Sequence, residues 1–149
     1  MIITICASIA FSPKIIEIKN ELEKIGHQVN IPLFTQQIID GEITYEEFMV
    51  AKEKDGDILL RQSKPVDAIK RYFEHIKNSD CILVLNINKK GIENYIGGNT
   101  LMEIGFAYTM DKKIYLFNQI PERSEVVHYV DEILAMTPVV IFGNLEEIK

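Results

Sequence analysis

The stretch Cys81-Ile-Leu-Val-Leu85 is the most strand-like segment of the chain and decides its fold. Its apolar side chains are almost continuous, which is typical of a strand that is buried on both faces. Strands of this kind lie in the middle of parallel sheets, because helices cover both faces of such sheets. The stretch therefore predicts the central strand of a three-layer α/β domain.

Apolar runs and helical patterns alternate on both sides of this strand. The runs predict four further strands, over Ile2–Ala7, His27–Ile31, Lys113–Phe117 and Pro138–Phe142. The helical patterns predict helices from Ser12-Pro13 to Gly26, from Asn99 to Met110 and from Ser124 to Ala135. This alternation is typical of βαβ units with right-handed crossovers. We expect one flavodoxin-like (Rossmann-like) α/β domain over residues 1–149, with five parallel strands in the order 2-1-3-4-5.

Residues 33–64 interrupt the alternation and are longer than an ordinary connection. Thr44-x-x-Glu47 is a capping-box motif, which predicts a helix through about Lys54 that Gly56 interrupts. Pro65 fits the first turn of a further helix. We interpret residues 33–64 as a helical insert. Two roles are open for the larger apolar side chains of this insert. They bury against the domain or a neighbouring subunit, or they cover a bound base. These side chains are Phe34, Tyr45, Phe48 and Met49.

The composition is that of an ordinary globular protein with an acidic balance. The chain has 16 Lys+Arg and 22 Asp+Glu, a net charge of −6, and 47% hydrophobic residues. A nucleic-acid polymer and an anionic membrane surface both bind clustered positive charge, so we expect neither as a partner. No apolar run approaches the ~20 residues that span a bilayer. The first residues lack the charged region of a signal peptide, so we expect a cytoplasmic protein.

The cysteines and histidines show no metal-binding pattern. Cys6 and Cys81 lie in apolar runs, which is typical of buried reduced thiols. His27, His75 and His128 are far apart and match no ligand spacing. We therefore expect neither a metal nor a cofactor.

The predicted strand order places a crevice beyond the carboxyl ends of strands 1 and 3. The loops that follow these strands span residues 7–12 and 86–100. Neither holds a dinucleotide fingerprint or a Walker A loop. Ser8 and Ser12 are able to bind a phosphate at the start of the first helix, although Ser12 fits equally as its N-cap.

The second loop carries the most informative residues. Gly97 and Gly98 permit positive φ and close approach of the backbone to a ligand, and Asn99 or Thr100 is able to cap the next helix. Glu103 then falls in the first turn of that helix. Two roles remain open: a carboxylate for chemistry on a largely apolar face, or a carboxylate that binds first-turn N–H groups. Burial raises its pKa and the helix terminus lowers it, and the sequence does not decide between them. We expect Gly105 to let the helix pack close to the sheet.

Two motifs together resemble the nucleoside 2-deoxyribosyltransferase superfamily, which includes the 2′-deoxynucleoside 5′-monophosphate N-glycosidases. They are Cys6-Ala-Ser-Ile9 and Thr100-x-x-Glu103-Ile-Gly105-x-Ala107, and the second is followed by the strand sequence Lys112-Lys-Ile-Tyr-Leu116. The resemblance extends across most of the chain. It implies a flavodoxin-like sheet and a homo-oligomer, a dimer or a tetramer.

The resemblance implies chemistry at the N-glycosidic bond of a nucleoside or a nucleoside 5′-monophosphate. Glu103 matches the glutamate that attacks C1′ and forms a covalent glycosyl-enzyme. Water then gives hydrolysis, and a second base gives transfer. The implied substrate-binding residues are Cys6, Ala7, Ser8, Ile9, Phe11, Asn94, Gly97, Gly98, Asn99 and Thr100.

The chain departs from the family pattern at its acidic positions. Gly97 and Tyr72 stand where family members carry acids, so no residue is assigned as proton donor to the leaving base. The alternatives are Tyr72, Tyr95 and Asp67. The loop Gly97–Glu103 is also similar to that of the cytokinin-activating nucleotide phosphoribohydrolases of the lysine-decarboxylase-like type. The alternative functions are therefore such a phosphoribohydrolase, a non-catalytic nucleotide or metabolite sensor, and an oligomerisation domain that uses the insert.

Overall fold

The computed structural model describes residues 1–54, 67–125 and 127–149. Its strands form one five-stranded sheet in the order β2-β1-β3-β4-β5, and every neighbouring pair is parallel. The strands are β1 (Ile2–Cys6), β2 (Gln28–Asn30), β3 (Cys81–Val84), β4 (Lys113–Leu116) and β5 (Val139–Val140). The predicted fold class and strand order are confirmed.

Helices connect the strands and cover both faces of the sheet. They are α1 (Ser12–Lys24), α2 (Leu33–Ile39), α3 (Tyr45–Lys54), α4 (Ala68–Lys77), α5 (Gly98–Thr109) and α6 (Val130–Ala135). Short 3₁₀ turns occupy Ile9–Phe11 and Leu145–Glu147. The part of the predicted insert that is described contains α2 and α3, whereas the predictions at Gly56 and Pro65 lie outside the described residues.

The side chains of each central strand alternate between two cores. On the α1 face, Ile3 and Ile5 pack with Ile15 and Leu22 of α1. On the opposite face, which we call the α4–α5 face, Cys6 packs with side chains of α4 and α5 such as Tyr72 and Ile104. All of these residues are buried. The two cores place α1 on one side of the sheet and α4, α5 and α6 on the other.

Two sequence signals for helix ends are confirmed. The capping box forms: the Glu47 N–H donates to Thr44 Oγ1 at 3.1 Å, and the Thr44 N–H donates to Glu47 Oε2 at 2.9 Å. Helix α3 therefore begins at Tyr45. Gly26 follows α1 with a φ of 90°, a conformation that suits glycine at the end of a helix.

Two helix starts differ from the prediction. Helix α6 begins at Val130 rather than Ser124, because Ser124 and Val127 exchange backbone hydrogen bonds at 3.1 and 3.2 Å. Ser12 is not an N-cap, since the 3₁₀ turn before it makes Phe11 the capping residue. Its hydroxyl instead donates to the Ile9 carbonyl at 2.7 Å and lies 2.8 Å from Thr35 Oγ1.

The glycines around α5 also behave differently from the prediction. Helix α5 begins at Gly98 and its N-cap is Gly97, so neither Asn99 nor Thr100 caps it. Gly97 has a φ of −81°, and Gly98 is not among the residues with positive φ. At Gly105 an added Cβ would meet nothing within 4 Å, so close packing does not require a glycine there.

Candidate functional site

A cavity of about 690 Å³ lies beyond the carboxyl ends of β1 and β3, where the strand order predicted a crevice. Both predicted loops reach it. Most of the predicted site residues line it: Ala7, Ser8, Ile9, Gly97, Gly98, Asn99, Thr100 and Glu103. Residues that follow β2 and residues of α4 complete the wall.

Three of the predicted residues do not line the cavity. Cys6 is fully buried in the core of the α4–α5 face, where its thiol interacts with Glu103. Phe11 is buried in the core of the α1 face. Asn94 lies in a turn with a φ of 52°, and its N–H donates to Asn88 Oδ1 at 3.0 Å. Phe11 therefore has a role in packing and Asn94 a role in a turn, and neither lines the cavity.

Glu103 lies in the second turn of α5 rather than in the first, because the helix begins at Gly98. The influence of the helix terminus is confined to the first turn, so it has little effect on this carboxyl. Oε2 of Glu103 is buried and has no hydrogen-bond partner among the described residues. The carboxylate therefore does not bind the first-turn N–H groups, which was one of its two predicted roles.

Burial dominates the electrostatics of Glu103. It raises the pKa of the carboxyl from 4.5 to about 8, and a hydrogen bond from the Cys6 thiol opposes the rise. The pKa of Cys6 is itself raised, first by burial and then by the negative charge of Glu103. At neutral pH the carboxyl is thus mainly protonated, and it ionises as the pH approaches 8.

The side chains of Tyr72 and Asp67, two of the three alternatives for the proton donor, both make other contacts in the structure. The Tyr72 hydroxyl donates to the Ile5 carbonyl, and burial raises its pKa well above 10.0. Asp67 caps α4 by accepting from the Lys70 N–H and forms an ion pair with Lys70, and it does not line the cavity. Tyr95, the third alternative, does line it.

Tyr95 packs closely against Gly97, so a larger residue at this position would require the tyrosine side chain to shift. A Cβ at Gly97 would lie 3.1 Å from the Tyr95 hydroxyl oxygen. The Lys89 ammonium lies over the Tyr95 ring, 4.9 Å from the ring centroid. The glycine therefore lets an aromatic side chain lie against the start of α5.

Three basic side chains of the described residues line the cavity, and the sequence did not single them out: Lys52, Arg71 and Lys89. Lys89 lies in the loop that follows β3, and its Nζ donates to Ser8 Oγ at 2.6 Å. The position of Lys89 in the predicted crevice loop, directly before Lys90-Gly91, is the sequence signal that could have identified it. Nothing in the sequence indicated that α4 would place Arg71 at the cavity.

The loop after β3 is fixed to the loop after β4 at its first residue. The buried Asn86 amide donates to the carbonyls of Asn118 and Gln119 at 3.1 and 2.6 Å. Its oxygen accepts from the Asn118 N–H at 2.8 Å, and the Asn118 amide donates back to the Asn86 carbonyl at 3.1 Å. We call this arrangement the Asn86 clasp.

Aromatic side chains form part of the cavity wall. Phe73 of α4 and Phe106 of α5 meet edge to face with ring centroids 4.9 Å apart. Phe34 lines the cavity and packs on Phe48, which is fully buried. Within the insert, Phe48 is therefore a core residue.

Tyr45 and Met49 of the insert do not line the cavity. The Tyr45 hydroxyl donates to the Ala10 carbonyl at 2.8 Å, which fastens α3 to the loop after β1. Tyr45 thus follows the structural alternative rather than the base-covering one.

Other candidate features are limited to what the described residues show. Cys6 and Cys81 are buried free thiols. Among residues 1–54, 67–125 and 127–149, no group of three or more His, Cys, Asp and Glu side chains is placed to hold a metal ion. The same residues include no helix that is long and apolar enough to cross a membrane.

A buried carboxyl with one oxygen that has no hydrogen-bond partner among the described residues lies at the topological switch point of this doubly wound α/β fold, which is where ligands bind in folds of this class. Searches found no matching family model and no matching curated protein. Among solved structures, the chain is similar to a 2-deoxyribosyltransferase from the psychrotolerant bacterium Bacillus psychrosaccharolyticus. The TM-score is 0.49 and the identity 21%, over 78% of this chain and 71% of that one. That protein is of the enzyme class that the two motifs resemble, but a likeness of this size assigns no activity to the chain.

Proposed function

We propose that the protein cleaves or transfers the N-glycosidic bond of a (deoxy)nucleoside or nucleoside 5′-monophosphate, with Glu103 as the nucleophile. One observation carries this proposal: the carboxyl of Glu103 lines the cavity at the switch point, and its Oε2 has no partner among the described residues. A buried carboxyl in a structural role would have its oxygens bound by donors. The free oxygen is instead available to a reacting carbon.

The chemistry follows from one carboxylate and one sugar. Ionised Glu103 attacks C1′, the C1′–N bond breaks, and the base leaves with the bonding electrons and is protonated. The resulting glycosyl ester is then attacked at C1′ by water, which gives hydrolysis, or by a second base, which gives transfer. Because the pKa of Glu103 is about 8, about a tenth of the free protein carries the nucleophilic form at pH 7. Positive charge that develops on the sugar stabilises that form.

The cavity suits a ligand of this size and mixed polarity. Its volume of about 690 Å³ lies within the range of small-molecule sites. The aromatic pair of Phe73 and Phe106 offers apolar surface for a base. The polar side chains of Ser8 and Asn99 and the cation of Lys89 offer contacts for a sugar or its phosphate.

The experiment is incubation with a panel of ribo- and 2′-deoxyribonucleosides and their 5′-monophosphates, with free base measured by chromatography. Glu103→Gln keeps the size of the side chain and removes the nucleophile, so we expect base release to fall by at least about 1,000-fold, as for loss of an essential nucleophile. Glu21→Gln, at an exposed position on α1, is the matched control and retains the parent rate. Equal rates for the two variants would show that Glu103 is not the nucleophile. Release from ribonucleoside 5′-monophosphates alone would favour the phosphoribohydrolase alternative.

A second candidate function is non-catalytic binding of a nucleotide. The observation that favours it is that the described cavity lining holds no second acid beside Glu103. Gly97 and Tyr72 occupy the positions where members of the resembled family carry acids, and the Tyr72 hydroxyl donates to the Ile5 carbonyl. Calorimetric titration with the same panel separates the two functions. Tight binding without base release would support the binding protein, whereas base release that depends on Glu103 would exclude it.

A further inference from the structure

The Lys89 ammonium is half-buried at the cavity, and the groups that its Nζ contacts are neutral. Nζ donates to Ser8 Oγ at 2.6 Å and lies 4.9 Å from the Tyr95 ring centroid and 5.8 Å from that of Phe11. Within the described residues it has no carboxylate at ion-pair distance. Burial lowers its pKa, and the charges of Lys52 and Lys90 lower it further. A partly buried cation without a counter-ion is costly, and an anion removes that cost.

The charge of the cavity is opposite to the charge of the chain. The chain carries a net charge of −6, yet the described lining includes Lys52, Arg71 and Lys89 and a single acid, Glu103. None of the three cations takes part in an ion pair within the described residues. Burial keeps the Glu103 carboxyl mainly protonated near neutral pH, so it does not offset them. The described part of the lining is therefore positive within an acidic protein, which favours an anionic ligand.

The backbone fixes Lys89 in place. Lys89 and Ile92 exchange two backbone hydrogen bonds of 3.0 Å each across a two-residue turn. The turn residues Lys90 and Gly91 both have positive φ, of 50° and 77°, as a type I′ turn requires. Lys89 therefore stands at the first position of a tight hairpin after β3, facing Ser8, which follows β1.

We propose that Lys89 and Ser8 bind the 5′-phosphate of the ligand, so that the protein acts on nucleoside 5′-monophosphates rather than on free nucleosides. The inference rests on the proposed function for the nucleoside part of the ligand. Lys89 supplies charge and N–H donors, and the Ser8 hydroxyl turns from accepting the lysine to donating to a phosphate oxygen. The two side chains come from the loops that flank the switch point, so the phosphate lies in the same cavity as Glu103.

The test measures binding apart from turnover. Glu103→Gln protein, its fold checked by circular dichroism, is titrated calorimetrically with 2′-deoxynucleosides, their 5′-monophosphates and inorganic phosphate. We expect the monophosphate to bind at least about tenfold more tightly than the nucleoside, since a charge-assisted pair contributes more than a neutral hydrogen bond. Inorganic phosphate should compete only weakly, because it lacks the base and sugar. Phosphate that binds as tightly as the monophosphate would overturn the assignment to a nucleotide.

Variants of two neighbouring lysines make the test specific. Lys89→Met, made in the same background, should lose the preference for the monophosphate over the nucleoside, while Lys89→Arg should largely retain it. Lys90→Met removes the same charge one residue away, at an exposed position, and should change the affinity by less than about twofold. Equal effects of Lys89→Met and Lys90→Met, or the absence of any binding, would overturn the inference.

The outcomes separate this inference from the proposed function. Monophosphate binding that depends on Lys89, without base release by the parent protein, would keep the phosphate site and reject the enzyme. Base release that depends on Glu103 but is equally efficient on nucleosides and monophosphates would keep the enzyme and reject the phosphate site.

Discussion

The two faces of the sheet bury similar strands but very different chemistry. On the α1 face, the buried core consists of aliphatic side chains and Phe11, with Cys81 and Tyr115 as its titratable members among the described residues. The α4–α5 face holds Cys6 and Tyr72, and the Glu103 carboxyl lies against them. Of the two faces, only the α4–α5 face holds, among the described residues, a carboxyl whose ionised form burial disfavours. Groups that reduce stability in this way are typical of functional sites.

The largest expected effect on the free energy of unfolding lies on the α1 face. Leu22→Ala removes a fully buried side chain of α1 and should lower that free energy by about 2–5 kcal/mol. Denaturant unfolding measures the change. Asn20→Ala, at an exposed position of the same helix, should change it by less than about 0.5 kcal/mol.

The same variant also tests whether the two faces are independent. At a temperature where Leu22→Ala is folded, kcat for base release should stay within about twofold of the parent, because distant sites act additively. A large loss of kcat in the folded variant would mean that the α1 face shapes the site, and the contrast between the faces would fail.

The second effect concerns pH and the α4–α5 face. The pKa of Glu103 is about 8 in the folded protein against 4.5 as its ordinary value, so the folded state retains a proton that the unfolded chain has released. The free energy of unfolding should therefore fall as the pH rises from about 4.5 to 8, and then level off. The expected fall is on the order of 1–3 kcal/mol, the usual cost of an unsatisfied buried polar group.

Comparison with Glu103→Gln isolates this contribution. The pKa of His75 is lowered by burial, so its contribution is lost as the pH falls and runs in the opposite direction. The contribution of His75 is the same in the parent protein and in Glu103→Gln, so it cancels when their free energies of unfolding are subtracted at each pH. A difference that does not change between pH 5 and 9 would show that Glu103 keeps its ordinary pKa.

The smallest expected effect is a shift in the pKa of Glu103. Two buried cysteines on opposite faces of the sheet, each replaced by alanine, test it. The Cys6 thiol favours the ionised form of Glu103, so Cys6→Ala should raise the pKa of that carboxyl. A hydrogen bond of ~0.5–1.5 kcal/mol corresponds to a shift of roughly 0.4–1 pH unit. Cys81→Ala removes the same group from the α1 face and should leave the pKa unchanged. Carbon-13 NMR of the glutamate carboxyl groups follows the titration whether or not the variants are active, and equal shifts in both variants would contradict the contrast.

The sequence predicted the sheet well because its signals are local. Buried parallel strands such as Cys81–Val84 stand out as apolar runs, and the capping box at Thr44 and Glu47 fixes a helix start within four residues. The start of α6 was missed because the pairing of Ser124 with Val127, whose side chain is buried, depends on contacts that no local pattern reports.

The site was predicted less completely because its geometry depends on distant contacts. The sequence singled out Glu103 but predicted it in the first turn of α5, whereas it lies in the second. The helix begins at Gly98 without a capping side chain, so no sequence signal marks its start. Lys89 and Ser8 are 81 residues apart, and only the folded sheet brings them together. Neither residue carries a periodic signal that points to the other.

The Asn86 clasp has a consequence for the energetics of binding. Because the Asn86 and Asn118 amides and the hairpin at Lys89 order the loop after β3 without a ligand, the conformational entropy of that loop is lost during folding. A ligand that binds there does not have to order the loop, and ordering is otherwise one of the main costs of association. For contacts with this loop, affinity is therefore set by direct interactions and desolvation rather than by the cost of ordering the backbone.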